Sequence, residues 1–268
     1  METSDLVLAR VQDVVERRPT SRPDALLSSR ERERWSAIRH RGRRDEFLAA
    51  RVLIKYLWCV PRPAAPPAQV RCAALEEIQG FLDAVVARPP ALRRARMLQT
   101  LPGPAGAPEL RWRGRAVESL SLSLTHAGGW VAVAFSTEGR VGVDLEKIEG
   151  RSPAFATVFS KAERAWSAAQ VGVSPETSLT LLWALREAAF KAGLGTETGD
   201  EPFEIVPDGA APCPSPRPAK GSWSLQSLSV TLPRGRAGMA GVLLDDGFVL
   251  ARLAADLRFG PTSAAKLR

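Results

Sequence analysis

Apolar positions along this chain follow two periods in turn. Period two rules the centre: Ser119 to His126 (SLSLSLTH) alternates strictly and predicts a half-buried strand. Ala127-Gly128-Gly129 supplies a turn into Trp130 to Ser136, apolar and partly β-branched. Thr137 to Gly139 turns again into a third strand, Val141 to Glu146. The tail repeats this style, with strands expected at Trp223 to Leu232, Ala240 to Leu244 and Phe248 to Leu253. Asp246-Gly247 makes the last pair a hairpin. Helical spacing appears elsewhere. Phe47, Ala50, Leu53 or Ile54, and Leu57 mark one helix; Leu181, Leu185, Ala188 and Ala192 mark another. Leu75, Ile78, Leu82 and Val85 make an amphipathic pattern between them, with a second short helix expected at Ala91 to Gln99.

Each of the two stronger helical patterns follows a capping box. Ser28-Ser29-Arg30-Glu31 and Ser160-Lys161-Ala162-Glu163 have the same form, with Trp35 and Trp166 one to two turns further on. Phe47 to Lys55 and Trp183 to Lys191 are each an aromatic and a lysine eight residues apart. The echo points to two similar α/β halves. Proline punctuates the rest. Pro61 to Pro67, Pro89-Pro90, Pro102 to Pro108 and Pro207 to Gly221 read as loop or extended connector, because proline denies the backbone a donor. The region 61–108 then reads as a helical, Pro-rich insertion in the first half. The expected halves are residues 1–139 and 140–268.

Composition narrows the class. Of the 268 residues 45% are hydrophobic, too many for a wholly disordered chain. Three scattered cysteines, Cys59, Cys72 and Cys213, make neither a disulfide scaffold nor a metal-site spacing. The longest apolar candidate, Phe47 to Val60, is broken by Arg51 and Lys55 and cannot span a membrane. Met1 to Arg18 mixes Glu2, Asp5, Asp13 and Glu16 among its apolar residues, so no signal peptide is expected and the cytoplasm is the expected compartment. The net charge of +8 rests on 37 basic residues, 31 of them arginine. Arginine's planar fork suits phosphate, and a genome that favours arginine codons gives the same bias.

Candidate chemistry sits on the strand Val141 to Glu146. Its side chains alternate, so Gly142, Asp144 and Glu146 share one face. Two carboxylates beside a glycine suit Mg²⁺, and a solvated acidic strand end has the same pattern. On the later helix Glu187 and Lys191 lie one turn apart on one strip, as an ordinary surface pair also would. That helix carries Leu181, Leu185 and Ala188 on one side and Trp183 and Phe190 on another, which predicts burial and a partner for the charged strip. His126 ends the alternating strand after Thr125. If the three central strands form a meander, His126 lies near the Asp144/Glu146 edge. Arg30 to Arg44 holds seven arginines, either a phosphate-gripping patch or a solvated helix face.

In order and spacing these pieces resemble the signature of the Sfp-type 4′-phosphopantetheinyl transferases. Gly142-Val143-Asp144-Leu145-Glu146 is similar to the family's G-[IV]-D-x-E, Phe159-Ser160-x-x-Glu163 to F-[SF]-x-x-E, and Trp183 to Lys191 to W-x-x-K-E-[AS]-x-x-K. Thr125-His126-x-x-x-Trp130 resembles S-H-S-x-x-W, Gly114-Arg115-Ala116 the G-[RK]-P turn, and Arg44-x-x-Phe47-Leu48-Ala49-Ala50-Arg51 the R-x-x-F-L-x-x-R helix. The departures are Arg186 for the usual lysine, Ala116 for proline, Thr125 and Ala127 for two serines, and the long 61–108 excursion.

The resemblance implies an α+β fold of two similar halves related by pseudo-twofold symmetry, each a small antiparallel sheet packed with a long helix. It implies transfer of 4′-phosphopantetheine from coenzyme A to a serine of an apo acyl or peptidyl carrier protein of fatty-acid, polyketide or nonribosomal-peptide synthesis, with release of 3′,5′-ADP. Asp144, Glu146 and Glu187 would hold Mg²⁺, Glu187 would serve as base, and Lys191 would neutralise charge on the departing phosphate. His126 with Thr125 would contact the 3′-phosphate of coenzyme A, and Arg44 and Arg115 would grip its phosphates. The expected protein is a monomeric pseudo-dimer with no nucleic-acid or membrane partner. Two other readings stand beside it: a catalytically impaired coenzyme A-binding homologue, and a basic nucleic-acid-binding protein built on Arg30 to Arg44.

Overall fold

A computed structural model of the chain describes residues 4–16, 22–60, 70–72, 75–103, 107–137, 139–170, 172–194, 205–207, 226–232, 236–245 and 247–255. In chain order the elements are β1 (Ser4–Arg10), α1 (Val11–Val15), α2 (Ser29–Ala37), α3 (Arg41–Cys59), β2 (Val70–Cys72), α4 (Leu75–Val86), α5 (Pro89–Met97), β3 (Leu98–Pro102), β4 (Pro108–Trp112), β5 (Arg115–Ala116), β6 (Ser121–Ala127), β7 (Trp130–Ser136), β8 (Arg140–Lys147), α6 (Lys161–Ala168), α7 (Pro175–Lys191), β9 (Val206–Pro207), β10 (Gln226–Leu232), β11 (Arg236–Asp245) and β12 (Phe248–Ala255). They form three sheets, ordered β2-β1-β7-β6, β8-β12-β11-β10-β9 and β3-β4-β5. All pairings are antiparallel except β1 with β2. The fold mixes helices with small, mainly antiparallel sheets.

Side-chain alternation stacks these elements in layers. On β1, Val7 and Ala9 join the cluster under α3, while Leu6 and Leu8 face the other way and meet β8 and β12. On β7, Val131, Val133 and Phe135 take the first side and Ala132 and Ala134 the second. Val249, Ala251 and Leu253 of β12 then face α7, with Leu250 turned back to the middle. The order through the molecule is α3, first sheet, second sheet, α7. Among the described residues no helix is long and apolar enough to cross a membrane.

The two sheets also meet edge to edge, and here the SLSLT alternation has an unexpected use. Ser121, Ser123 and Thr125 do not face water. Their hydroxyls accept the backbone N–H groups of Val141 (3.0 Å), Val143 (3.0 Å) and Leu145 (3.2 Å). Side-chain oxygens of β6 thus stand where a neighbouring strand's carbonyls would, and they satisfy the edge of β8. The expected meander therefore stops after two strands: β8 pairs with β12 in the second sheet and reaches β6 through hydroxyls alone. His126 still ends at the same edge as Asp144, because the three rungs align β6 and β8 in parallel.

Both capping boxes form, each with reciprocal bonds. Their glutamates then reach inward into matching clusters. Glu31 receives Lys55 Nζ at 2.8 Å and the Thr100 N–H at 3.0 Å; Glu163 receives Arg186 Nε at 2.8 Å and the Ile205 N–H at 3.1 Å. By bonding, the counterpart of Lys55 is Arg186. The aromatic-to-lysine echo pairs Lys55 with Lys191, and the structure corrects it: Lys55 is 1% exposed in a core, whereas Lys191 lies at the surface beside Asp144.

Other expectations change at the prolines. Pro89-Pro90 opens α5 instead of connecting, since the first helical turn needs no proline N–H. That helix ends at Met97, and Gln99 belongs to β3. Pro102 and Pro108 end a hairpin, paired with each other where a missing donor costs the ladder nothing further. Ile78, Leu82, Ala95, Leu98 and Leu110 join the same cluster as α3, so the excursion is part of the first core. Pro61 to Pro67, Pro212 to Gly221 and Trp223 lie outside the described residues. The N-terminus, read only as lacking a leader, supplies the inner strand β1.

Candidate active site

The site begins with a glycine. Gly142 shares a face of β8 with Asp144 and Glu146, as the alternation predicts, and that face meets α7. A Cβ at Gly142 would sit 1.7 Å from the Ala188 carbonyl oxygen and 2.9 Å from the Ala192 nitrogen. Glycine on the strand and Ala184, Ala188 and Ala189 on the helix let the two backbones touch. The approach brings the Glu187/Lys191 strip beside Asp144. Gly142→Ala is expected to push α7 away, costing about 1–3 kcal/mol as overpacking does and lowering activity with it. Thermal unfolding and a turnover assay on the same sample check both.

Lys191 Nζ donates to Asp144 Oδ1 at 2.5 Å and to the Val143 carbonyl at 3.3 Å. Thr125 Oγ1 donates to the same Asp144 Oδ1 at 3.1 Å. The other oxygen, Asp144 Oδ2, is buried with no hydrogen-bond partner among the described residues. Glu146 accepts Trp183 Nε1 at 3.1 Å on one oxygen and Arg151 Nη2 at 2.5 Å on the other. Burial first, then the charge of Asp144 and that of Glu146, pushes the Glu187 carboxyl above its ordinary value; Lys191 pulls the other way. Glu187 therefore feels both carboxylates of β8 from a half-buried position.

Among the described residues no group of three or more His, Cys, Asp or Glu side chains is gathered closely enough to hold a metal ion. The donor chemistry nonetheless fits a hard divalent cation. A buried carboxylate oxygen lacks a partner, and a neighbouring carboxyl is raised by negative charge that such a cation would offset.

His126 points to the opposite face of β6 from Thr125, toward α3, where its Nδ1 lies 3.2 Å from Glu46 Oε2. Burial holds its imidazole below the ordinary value; Glu46 raises it, Arg43 and Lys191 lower it, and Asp144 raises it. Glu46 and Arg44 line a cavity of 1180 Å³ beside α1, and the Arg44 guanidinium stacks on Trp35 at 5.1 Å. Arg115 stands exposed on β5 in the third sheet. The structure thus brings Thr125, Asp144 and Lys191 together, with Glu146, Glu187 and His126 near enough for charge to be felt. Arg44 and Arg115 lie on separate elements.

The expected burial of α7 holds from Ser178 to Ala189, where every residue is buried or half-buried and Trp183 packs against Phe155; Phe190 departs from it and is 66% exposed. Arg186 does not face the carboxylates. It ties α7 to Glu163 and to the Val158 carbonyl (2.9 Å), so its substitution for lysine bears on anchoring the helix. Many of the arginines between 30 and 44 are engaged within the chain: Arg32 on Asp24, Arg41 near Asp45, Arg43 near Glu46, and Arg34 and Arg44 on aromatic rings. Sequence reasoning missed Trp183, Arg151 and Glu46 as partners. Trp183 stood in the quoted motif but was counted as apolar; the other two carry no pattern.

A family model for the 4′-phosphopantetheinyl transferase superfamily matches residues 140–231. No curated protein matches the chain. The matched segment opens on β8 and carries Asp144, Glu146, Glu187 and Lys191, so it agrees with the resemblance read from the motifs. Members of that superfamily take coenzyme A as substrate and act on carrier proteins.

Proposed function

We propose that the protein transfers the 4′-phosphopantetheine group of coenzyme A to a serine of an apo acyl or peptidyl carrier protein and releases 3′,5′-ADP. One observation carries this reading. Within the segment matched to the superfamily, Lys191 of α7 bonds Asp144 of β8, and the Glu187 carboxyl feels the charges of Asp144 and Glu146. Asp144, Glu146 and Glu187 would hold Mg²⁺, which would supply charge neutralisation of the coenzyme A pyrophosphate. Glu187 takes the proton of the carrier serine, directly or through water, as its oxygen bonds the phosphorus that bears pantetheine. The bond from that phosphorus to the bridging oxygen breaks, and 3′,5′-ADP leaves with the electron pair. Lys191 spends donors on Asp144 and Val143 and keeps a third for a phosphate oxygen. His126, Arg44 and Arg115 contact the coenzyme A phosphates.

We read the chain as two halves, 1–139 and 140–268, related by a pseudo-twofold and acting as a monomer in the cytoplasm. Support comes from the two capping-box glutamates with their matching cation and backbone partners. The test is incubation of purified protein with coenzyme A, Mg²⁺ and a panel of apo-carriers, with intact mass reporting the adduct. Transfer is expected to at least one carrier, to stop with a chelator and to return with added Mg²⁺. A folded sample that binds coenzyme A and modifies no carrier is instead the impaired homologue.

A further inference from the structure

The resemblance sets Thr125 and His126 together on one phosphate. A strand does not allow that simply, because adjacent side chains leave it on opposite faces. His126 goes to the α3 side and meets Glu46. Thr125 goes to the β8 side, is 6% exposed, and has both hydroxyl functions committed. Its oxygen accepts the Leu145 N–H at 3.2 Å, and its proton goes to Asp144 Oδ1 at 3.1 Å. Ser121 and Ser123 make the corresponding rungs to Val141 and Val143, and neither has a carboxylate to hold. Thr125 alone among the three rungs also reaches Asp144.

We infer that Thr125 is a positioning residue for Asp144: with Lys191 it clamps Oδ1, so that the carboxylate offers only the buried, unpartnered Oδ2 to a divalent cation. The inference rests on the proposed function for the identity of the cation. Its physics is local. A carboxylate with two donors on one oxygen can neither rotate nor chelate through both oxygens. It enters the site as a one-oxygen ligand in a fixed direction, and outer-shell partners of this kind set affinity for the metal. The hydroxyl of the edge rung thereby links the sheet seam to the site.

The experiment measures binding of Mn²⁺ in the presence of coenzyme A, by the electron paramagnetic resonance signal of free Mn²⁺, beside transfer to an apo-carrier. Thr125→Val is expected to weaken Mn²⁺ binding about tenfold. Thr125→Ser is expected to restore it, and Ser123→Ala, which removes a rung without touching Asp144, to leave it unchanged. Thr125→Ala carries the same comparison if the valine variant does not fold. The ratio of KM for dephospho-coenzyme A to that for coenzyme A is expected to stay the same in Thr125→Val. A collapse of that ratio shows that Thr125 serves the 3′-phosphate and overturns the inference. So does a folded Thr125→Val or Thr125→Ala protein with wild-type Mn²⁺ affinity. Wild-type protein that binds Mn²⁺ yet modifies no carrier sinks the proposed function and leaves the clamp standing.

Discussion

Glu187→Gln is expected to abolish carrier modification, with a loss of roughly 10³-fold or more in turnover and little change in thermal unfolding. The substitution keeps shape and removes both the base and a negative charge. General-base catalysis alone contributes about 10²–10⁴-fold. The environment favours this role, because burial, the largest cause, raises the Glu187 carboxyl; the charges of Asp144 and Glu146 add to that only until a cation offsets them. Stability should hold or improve slightly, since Glu187 sits among like charges and losing one relieves repulsion. Intact-mass kinetics on a single carrier, with circular dichroism on the same stock, separate the two effects. Unimpaired turnover in a folded variant removes Glu187 from the mechanism.

Lys55→Met is expected to cause the largest loss of stability. Lys55 and Glu31 are each 1% exposed, and Lys55 Nζ also donates to the Ala95 and Leu98 carbonyls at 3.1 and 2.6 Å. Burial holds the ammonium below its ordinary value, and only the Glu31 charge and hydrogen bond oppose that shift strongly. Methionine leaves the Glu31 charge and two carbonyls without their donor. Arg51, still charged with a pKa of about 10, keeps its ion pair to Glu31 at 3.8 Å, but its Nε makes no hydrogen bond among the described residues and does not replace the Lys55 donors. Breaking one side of a buried pair costs about 3–5 kcal/mol. For a chain of this size that lowers Tm by roughly 10 °C. Adding Glu31→Gln to Lys55→Met should recover part of the loss by removing the stranded charge. A double variant no more stable than the single one assigns the cost to packing and not to charge.

The elements were legible wherever one periodicity ran uninterrupted. The β6–β7 hairpin, β8 and α4 lie within a few residues of the expected spans, α3 and α7 each begin six residues before the expected pattern, and both capping boxes bond as their residues predict. Within the candidate site, the shared face of Gly142, Asp144 and Glu146 followed from alternation alone. What alternation could not convey was which neighbour each face would meet. The hydroxyls of β6 look solvent-facing in sequence because serine usually is; only the missing backbone partner of β8 draws them inward. Gly142 read only as a neighbour of the two carboxylates, and its missing side chain is what lets α7 approach. Lys55 read as the echo of Lys191, since spacing records position on a helix and not the tertiary partner. Prolines misled at Pro89 and Pro102, where a helix start and a strand end tolerate a missing N–H.

The seam between the sheets has a further consequence for exchanging parts between proteins. Its rungs come from side chains at every second position, so a slip of one residue along β6 would offer Leu122 and Leu124 to donors that need oxygen. The seam is thus keyed by side-chain identity, as a zip is keyed by its teeth. A second sheet transplanted from another protein would seat here only if its strand in the place of β8 met hydroxyls at 121, 123 and 125. Chimeras that keep those three residues should assemble, and chimeras that replace all three with aliphatic residues should not.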